Sequence, residues 1–223
     1  QALTDGQSYT MTANVSDADG NAAAEVTSSS FSVDTTLPTI SAIATGAFSW
    51  GSSLNATEDN ANGTVTVTTV GVEDGQTVTL VLNGANYTGS VSSNSVTVTI
   101  TAAGLQALTD GQSYTMTANV SDAAGNAASE VTSSAFTVNS SLPTIAAIET
   151  SAFSWGAVLN ATEDNSNGTV TVTTTGVDDG QTLTLVLNGA NYTGSVSGNS
   201  VTVTITATGL PALTYGQSYT MTA

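Results

Sequence analysis

Acidic side chains are the residues in this sequence that could bind a ligand, and no basic side chain accompanies them. The 223 residues include 17 Asp and Glu but no Lys, Arg, His or Cys, so the formal net charge is −17. Ca²⁺ prefers carboxylate, amide and carbonyl oxygens and takes about six to eight of them. A structural Zn²⁺ site would need His or Cys. If these acids bind a metal ion, their chemistry therefore favours Ca²⁺.

The same composition does not favour catalysis. A Ser or Thr nucleophile needs a base such as His or Lys beside it, and the sequence contains neither. A glycosidase could work with two carboxylates in an apolar cleft, whereas the acids here lie in polar turns. The sequence therefore predicts a protein that is not an enzyme.

The lack of positive charge also restricts the partners. Binding to nucleic acid needs Lys or Arg to neutralise phosphates, and attraction to anionic lipid needs the same side chains. The apolar runs are only a few residues long, which is too short to cross a bilayer. We therefore expect no nucleic-acid partner and no membrane insertion. No signal peptide is recognisable, so we interpret the sequence as a mature or internal segment.

A repeat of 105 residues organises the chain. Residues 1–105 align with residues 106–210 without gaps, and 87 of the 105 positions are identical. A third copy begins at Pro211. Such a period and identity are typical of duplicated modules in an array. The polar stretches before Leu37-Pro38 and Leu142-Pro143 predict linkers, which places the tail of one module at 1–36, a whole module at 37–141 and a module without its last strand at 142–223.

Alternation of apolar and hydroxyl side chains predicts an all-β fold. Gly63 to Thr69 and Ser95 to Thr101 place Val or Ile on one face and Thr on the other. Turn signals rich in Gly, Asn and Asp separate the segments. The expected strands of the whole module lie at 39–49, 63–70, 76–82, 86–91, 95–101, 112–120 and 128–138, with one helical turn near 102–108. About seven short strands in a module of this size indicate immunoglobulin-like β-sandwiches arranged end to end.

One tyrosine supports this architecture. Asp110, Tyr114 and Met116 have the spacing D-x3-Y-x-M. In immunoglobulin domains a tyrosine corner lies two residues before the second cysteine. We interpret Tyr114 as such a corner with Met116 at the cysteine position, the alternative being an ordinary core tyrosine.

Two motifs resemble a known family. The segment 15–21 reads VSDADGN and the segment 31–38 reads FSVDTTLP, and both recur in altered form between Val120 and Pro143. They resemble the signature of bacterial Ig-like repeats of giant repeats-in-toxin and biofilm-type adhesins. The resemblance implies an extracellular extender module that holds a ligand-binding domain away from the cell, with Ca²⁺ at or near module junctions. The second copy departs from the signature, because Asn139 replaces Asp34 and Ala124 replaces Asp19.

Strand counting predicts where the acids meet. Successive antiparallel strands reverse direction, so loops at the two poles of neighbouring modules face each other. Like charges about 4 Å apart repel by roughly 1 kcal/mol in water, and a divalent cation would remove that repulsion. We therefore predict Ca²⁺ ligands at the junctions and in the resembling motif, with solvated turns as the alternative: Asp5, Asp17, Asp19, Asn21, Asp34, Glu58, Asp59, Glu73, Asp74, Asp110, Asp122, Asn126, Asp178 and Asp179.

Three functions remain open at this point. The leading hypothesis is a structural stalk or fibre segment of a bacterial surface adhesin, as in a biofilm, whose partners are neighbouring modules of the same chain or fibre. A second is a subunit of an extracellular filament in which an incomplete sandwich accepts a strand from another chain. A third is direct binding of ice or glycans by the outward Thr rows at 64–69 and 97–101. The sequence does not identify the target of adhesion.

Overall fold

The computed structural model describes residues 2–223, which form two compact units, residues 1–140 and residues 141–223. Strands dominate both units, so the predicted all-β class is confirmed. Each unit is described by itself. No helix in the described part of the chain is long and apolar enough to cross a membrane.

The first unit opens with four short strands outside its core. They are β1 (Ser8–Tyr9), β2 (Thr12–Ala13), β3 (Val26–Thr27) and β4 (Phe31–Ser32). Strand β1 pairs with β4, and β2 pairs with β3, both antiparallel. We call residues 2–36 the head segment. Its apolar side chains are exposed, with Met11 at 64% and Val15 at 68%.

The rest of the first unit is a two-layer structure that we call the first sandwich (37–140). Its elements are β5 (Thr39–Ile40), a 3₁₀ turn (Thr45–Ala47), β6 (Ser53–Asn55), β7 (Gly63–Val70), β8 (Thr77–Leu82), β9 (Ala85–Ser90), β10 (Ser95–Ile100), α1 (Ala102–Gln106), β11 (Ser113–Tyr114), β12 (Met116–Asn119), β13 (Val131–Thr132) and β14 (Phe136–Asn139). The sheet orders are β10-β7-β5, β13-β12-β8-β9 and β11-β14-β6.

Alternating side chains form the core of the first sandwich. Along β7, Val65 and Val67 are fully buried while Thr66 and Thr68 face solvent. Strand β7 pairs with β10 in a register that sets Val65 opposite Val98. The valines of this sheet pack against apolar residues of β8, β12 and β14 in one cluster. The period-two pattern therefore decides which face of each strand is buried.

The second unit repeats much of this arrangement, and we call it the second sandwich. Its elements are β15 (Thr144–Ile145), a 3₁₀ turn (Thr150–Ala152), β16 (Gly168–Thr175), β17 (Thr182–Leu187), β18 (Ala190–Ser195), β19 (Ser200–Ile205) and β20 (Met221–Thr222). The sheet orders are β15-β16-β19 and β18-β17-β20. Within residues 141–223, no strand corresponds to β6, β13 or β14.

Most predicted strands are present with shorter bounds, but β6 was not predicted. It pairs in parallel with β14, so that Leu54 lies opposite Val138. The expected first strand, 39–49, is only β5 followed by the 3₁₀ turn. These two differences have the same cause, since residues 41–55 turn away from β7 and cross to the other sheet. The tyrosine-corner interpretation is confirmed, because the hydroxyl of Tyr114 accepts a hydrogen bond from the N–H of Thr109 at 2.9 Å.

One core position carries a hydroxyl without a partner. Thr69 is fully buried at the end of β7, and its Oγ1 has no hydrogen-bond partner among the described residues. Thr69→Val keeps the shape and removes the buried polar atom, so we expect the free energy of unfolding to rise by about 0.5–1 kcal/mol in urea denaturation. Thr68→Val, on the exposed face of the same strand, is the matched control and should change stability little. A loss of stability in Thr69→Val would show that the hydroxyl does have a partner.

Candidate cation site beside the first linker

Three acidic residues line one cleft where the head segment meets the first sandwich. Asp34 follows β4, Glu73 lies in the turn between β7 and β8, and Asp122 lies in the loop after β12. They share a cleft of about 330 Å³ whose other lining residues are Thr36, Gly71, Val72 and Asn94. Strand counting predicted that these three loops lie at one pole, and the structure places them together.

Hydrogen bonds fasten the three segments around the cleft. The Glu73 Oε2 accepts from the backbone N–H of Ala123 at 2.8 Å. The side-chain amide of Asn126 donates to the backbone carbonyl of Asp34 at 3.2 Å. The turn between β7 and β8, the loop after β12 and the linker are therefore joined by donors of the sandwich and acceptors of the acids.

Asp122 is the buried member of this group, with 4% of its surface exposed. Its two carboxylate oxygens accept from the backbone N–H and the side-chain amide of Asn126, at 2.7 and 2.9 Å. Burial alone would raise the pKa of Asp122, but these hydrogen bonds outweigh it and hold the pKa below its ordinary value. Asp122 therefore stays ionised at neutral pH inside the protein.

The donors at the cleft suit a hard cation in type but do not yet surround one. Every candidate ligand is an oxygen, and the chain has no Lys, Arg or His to neutralise the carboxylates. Oε1 of Glu73 and Oδ2 of Asp34 accept no hydrogen bond from the described residues. Among residues 2–223, however, no three acidic side chains converge tightly enough to hold a metal ion. A cation at this cleft would need Glu73 and Asp34 to rotate towards it.

Asp5 has a different role from the one predicted for it. Its Oδ1 accepts from the backbone N–H and the hydroxyl of Thr35, and its Oδ2 accepts from the hydroxyl of Thr36 at 2.8 Å. The bond from the Thr35 N–H is the main reason why the pKa of Asp5 lies below its ordinary value. Asp110 repeats the contact, accepting from the backbone N–H of Ser140 at 2.7 Å. We call this contact the linker clamp.

The acids of the head-segment loop are bonded to their own loop. Asp17 Oδ1 accepts from the backbone N–H groups of Asp19 and Asn21, and its Oδ2 accepts from the Asn21 side-chain amide. The side-chain bond from Asn21 is the main cause of a lowered pKa at Asp17. All three residues are exposed. The motif therefore closes a turn, and its proposed role as a metal site stays a prediction.

The remaining predicted ligands cap other turns. Glu58 Oε2 accepts from the N–H of Asn55 at 3.0 Å, and Asp59 Oδ1 accepts from the side chain of Asn60 at 3.0 Å. Asp74 and Asp179 hold equivalent positions in the two sandwiches, and their Oδ1 atoms each accept one backbone N–H at 2.7 Å, from Ser93 and Gly198. Asp178 precedes Asp179 at the position of Glu73. Their predicted meeting at the second junction stays a prediction.

The linker clamp is the feature that the sequence analysis missed. Its signal was present, because Asp5 and Thr35 are 30 residues apart and so are Asp110 and Ser140. A carboxylate that recurs at a fixed distance from hydroxyl residues suggests hydrogen bonding as readily as metal binding. The acid count drew attention to cations and away from the Thr and Ser donors.

Comparison with known proteins places this arrangement among bacterial adhesins. No family model and no curated protein matches the chain. It is similar to the solved structure of a Ca²⁺-stabilised adhesin that helps an Antarctic bacterium reach out and bind ice, with 27% identity, a TM-score of 0.50 and coverage of 96% of this chain. The chain spans 55% of the length of that structure. The predicted resemblance to Ig-like modules of giant adhesins is thereby confirmed.

Two further structures match with lower TM-scores. One is a part of a 1.5-MDa bacterial ice-binding adhesin studied for host cell surface retention, at 25% identity and a TM-score of 0.48 over 91% of this chain and 64% of that one. The other is a bacterial immunoglobulin-like domain from the *M. primoryensis* ice-binding adhesin, at 30% identity and a TM-score of 0.33 over 46% of this chain and 96% of that one.

The linker clamp is testable by amide hydrogen exchange. Asp5→Ala removes the acceptor of the Thr35 N–H, so we expect that amide to exchange at least about fivefold faster, as loss of one charge-assisted hydrogen bond implies. Asp19→Ala is the matched control, because Asp19 is an exposed acid of the same segment whose carboxylate makes no printed contact with the linker. Unchanged exchange at Thr35 in Asp5→Ala would contradict the clamp.

The lowered pKa values predict how the clamp responds to acid. A carboxyl whose pKa is depressed by folding contributes stability above its unfolded pKa, and that contribution is lost as the pH falls through the folded pKa. The clamp at Asp5 should therefore persist at neutral pH and open only below the ordinary range of aspartate. Carboxyl NMR titration should show Asp5, Asp17 and Asp122 titrating below exposed reference acids. Titration of Asp5 at an ordinary pKa would contradict its bonds to Thr35 and Thr36.

Proposed function

We propose that this chain is an extender segment of a bacterial surface adhesin, a non-enzymatic stalk of tandem sandwiches outside the cell. The observation that carries the proposal is the junction between the head segment and the first sandwich. There, linker residues are held by hydrogen bonds from two sides while three carboxylates line one cleft without a positive side chain. The structural similarity to a Ca²⁺-stabilised adhesin supports the same conclusion.

The repeat explains why such a junction serves a stalk. A module that contacts only its neighbours adds length without changing the rest of the chain. Hydroxyl side chains cover the outer faces, as at Thr66 and Thr97, which lie opposite each other on β7 and β10. Such a surface and a net charge of −17 keep the chain soluble and limit contacts with other acidic surfaces.

We further propose that Ca²⁺ binds at the cleft formed by Asp34, Glu73 and Asp122. When bound, the ion would supply the positive charge that the chain lacks. Asp122 would bring a fixed, ionised carboxylate, and Glu73 and Asp34 would each bring one oxygen that no donor in the chain occupies. The linker clamp would hold Asp34 near the sandwich before the ion arrives. The acids predicted at the second junction, with Asp178 at the position of Glu73, would act in the same way.

Ca²⁺ titration by calorimetry tests the proposed site. In the double variant Asp34→Asn/Glu73→Gln two charged ligands become neutral, so we expect the affinity of the cleft to fall by about tenfold or more. Glu130→Gln removes one exposed acid outside the cleft and should leave the affinity unchanged. Asp122 is left intact because its bonds to Asn126 shape the loop. Equal Ca²⁺ affinity in the double variant and the control would contradict the site.

Small-angle scattering tests the proposed mechanical role. Ca²⁺ should narrow the distribution of interatomic distances and extend its maximum, and excess EGTA should reverse the change. If the profile is the same with Ca²⁺ and with EGTA, the ion does not stiffen the chain, and stiffness would then depend on the linker clamps alone.

A further inference from the structure

The second sandwich carries an open apolar groove. Phe153 and Trp155 are half-buried although their counterparts Phe48 and Trp50 are each 5% exposed. Leu159 is also half-buried although its counterpart Leu54 is completely buried. Val158 beside it is 77% exposed. We call these residues of the second sandwich (Phe153, Trp155, Val158 and Leu159) the open groove.

In the first sandwich, strand β14 fills the corresponding groove. The ring of Phe136 lies 5.7 Å from that of Phe48 and 5.3 Å from that of Trp50, with both ring pairs edge to face. Val138 lies opposite Leu54 in the parallel pairing of β14 with β6. Phe136 and Val138 are 1% and 2% exposed, whereas Thr137 between them faces solvent. A strand with the pattern Phe-x-Val therefore closes the groove by placing two apolar side chains inward.

The head segment carries the same strand and has no core of its own. Residues 31–34 read FSVD where residues 136–139 read FTVN. Phe31 is 39% exposed and Met11 is 64% exposed, but their counterparts Phe136 and Met116 are 1% and 0% exposed in the first sandwich. The apolar side chains that complete one sandwich are thus held at the surface in the head segment.

We propose that the open groove of one copy of this chain accepts the head segment of a second copy. Strand β4 would enter as β14 does, with Val33 opposite Leu159 and Phe31 against Trp155. The incoming β1 and β2 would take the place of residues 211–223, which are identical to residues 1–13 at 11 of 13 positions. The exchange therefore keeps the contacts of that segment and adds those of the missing strand.

Several observations favour a second copy as the occupant. The chain contains both the groove and a strand already shown, at β14, to fit a groove of the same sequence type. The donor and acceptor surfaces differ, so the contact is head-to-tail and each added copy exposes a new groove. Strand addition of this kind uses main-chain hydrogen bonds for affinity and alternate side chains for specificity. Because the copies are strongly acidic, added salt should favour their association.

Sedimentation across a concentration series tests the proposal. The whole 223-residue chain is studied in EGTA, so that the outcome does not depend on the Ca²⁺ site proposed above. At roughly 0.5 M salt, where charge repulsion is screened, we expect mass to rise with protein concentration. Val33→Asp places a charge on the inward face of the donor strand and should raise the concentration needed for association by at least about tenfold. Ser32→Asp adds the same charge on the outward face and should leave it nearly unchanged.

Each outcome decides the matter. A chain that stays monomeric at all concentrations overturns the proposal, as does equal association of Val33→Asp and Ser32→Asp. A synthetic peptide with the sequence of residues 130–140 provides a second measurement that does not depend on the folding of variants. It should bind the chain and reduce association in proportion to the groove it occupies. Association that the peptide does not reduce would place the contact elsewhere and also overturn the proposal.

Discussion

The absence of any positive side chain is the constraint on which the rest of this structure depends. Every ionised carboxylate must be stabilised by backbone N–H groups, hydroxyls, side-chain amides or ions from solution. The described acids follow this rule: Asp5, Asp17 and Asp122 each gather several donors and their pKa values fall as a result. Loops and linkers are consequently tied together by bonds in which the acid is always the acceptor.

This constraint links the linker clamp to the cleft. Asp5 uses both of its oxygens on Thr35 and Thr36, and so holds the linker without a metal ion. One residue earlier, Asp34 keeps an oxygen that the chain does not occupy. Hydrogen bonding thus fixes the position of the linker, and the remaining charge is what a cation could neutralise. The two kinds of interaction act on neighbouring residues and need not compete.

The sequence predicted the features that follow from periodicity. Alternation along β7 and β10 defined the buried faces, and strand counting brought Asp34, Glu73 and Asp122 to one pole. It could not predict β6, because residues 53–55 show no alternation long enough to recognise and acquire their strand geometry only by pairing with β14. Nor could it distinguish Asp5 from Glu73, since an acid in a turn looks the same whether its partner is a Thr hydroxyl or an ion.

The near-identity of the repeats makes the order of synthesis part of the folding information. A strand from one module fits its counterpart's place in the next almost equally well, and exchange between such modules is a characteristic error of repeat proteins. During translation the strands of the first sandwich emerge before those of the second, so each groove meets its own strands first. A refolded chain loses that advantage, because all copies of a strand become available at once. Chains made on the ribosome and chains diluted from denaturant should therefore differ in how often neighbouring modules are interlocked.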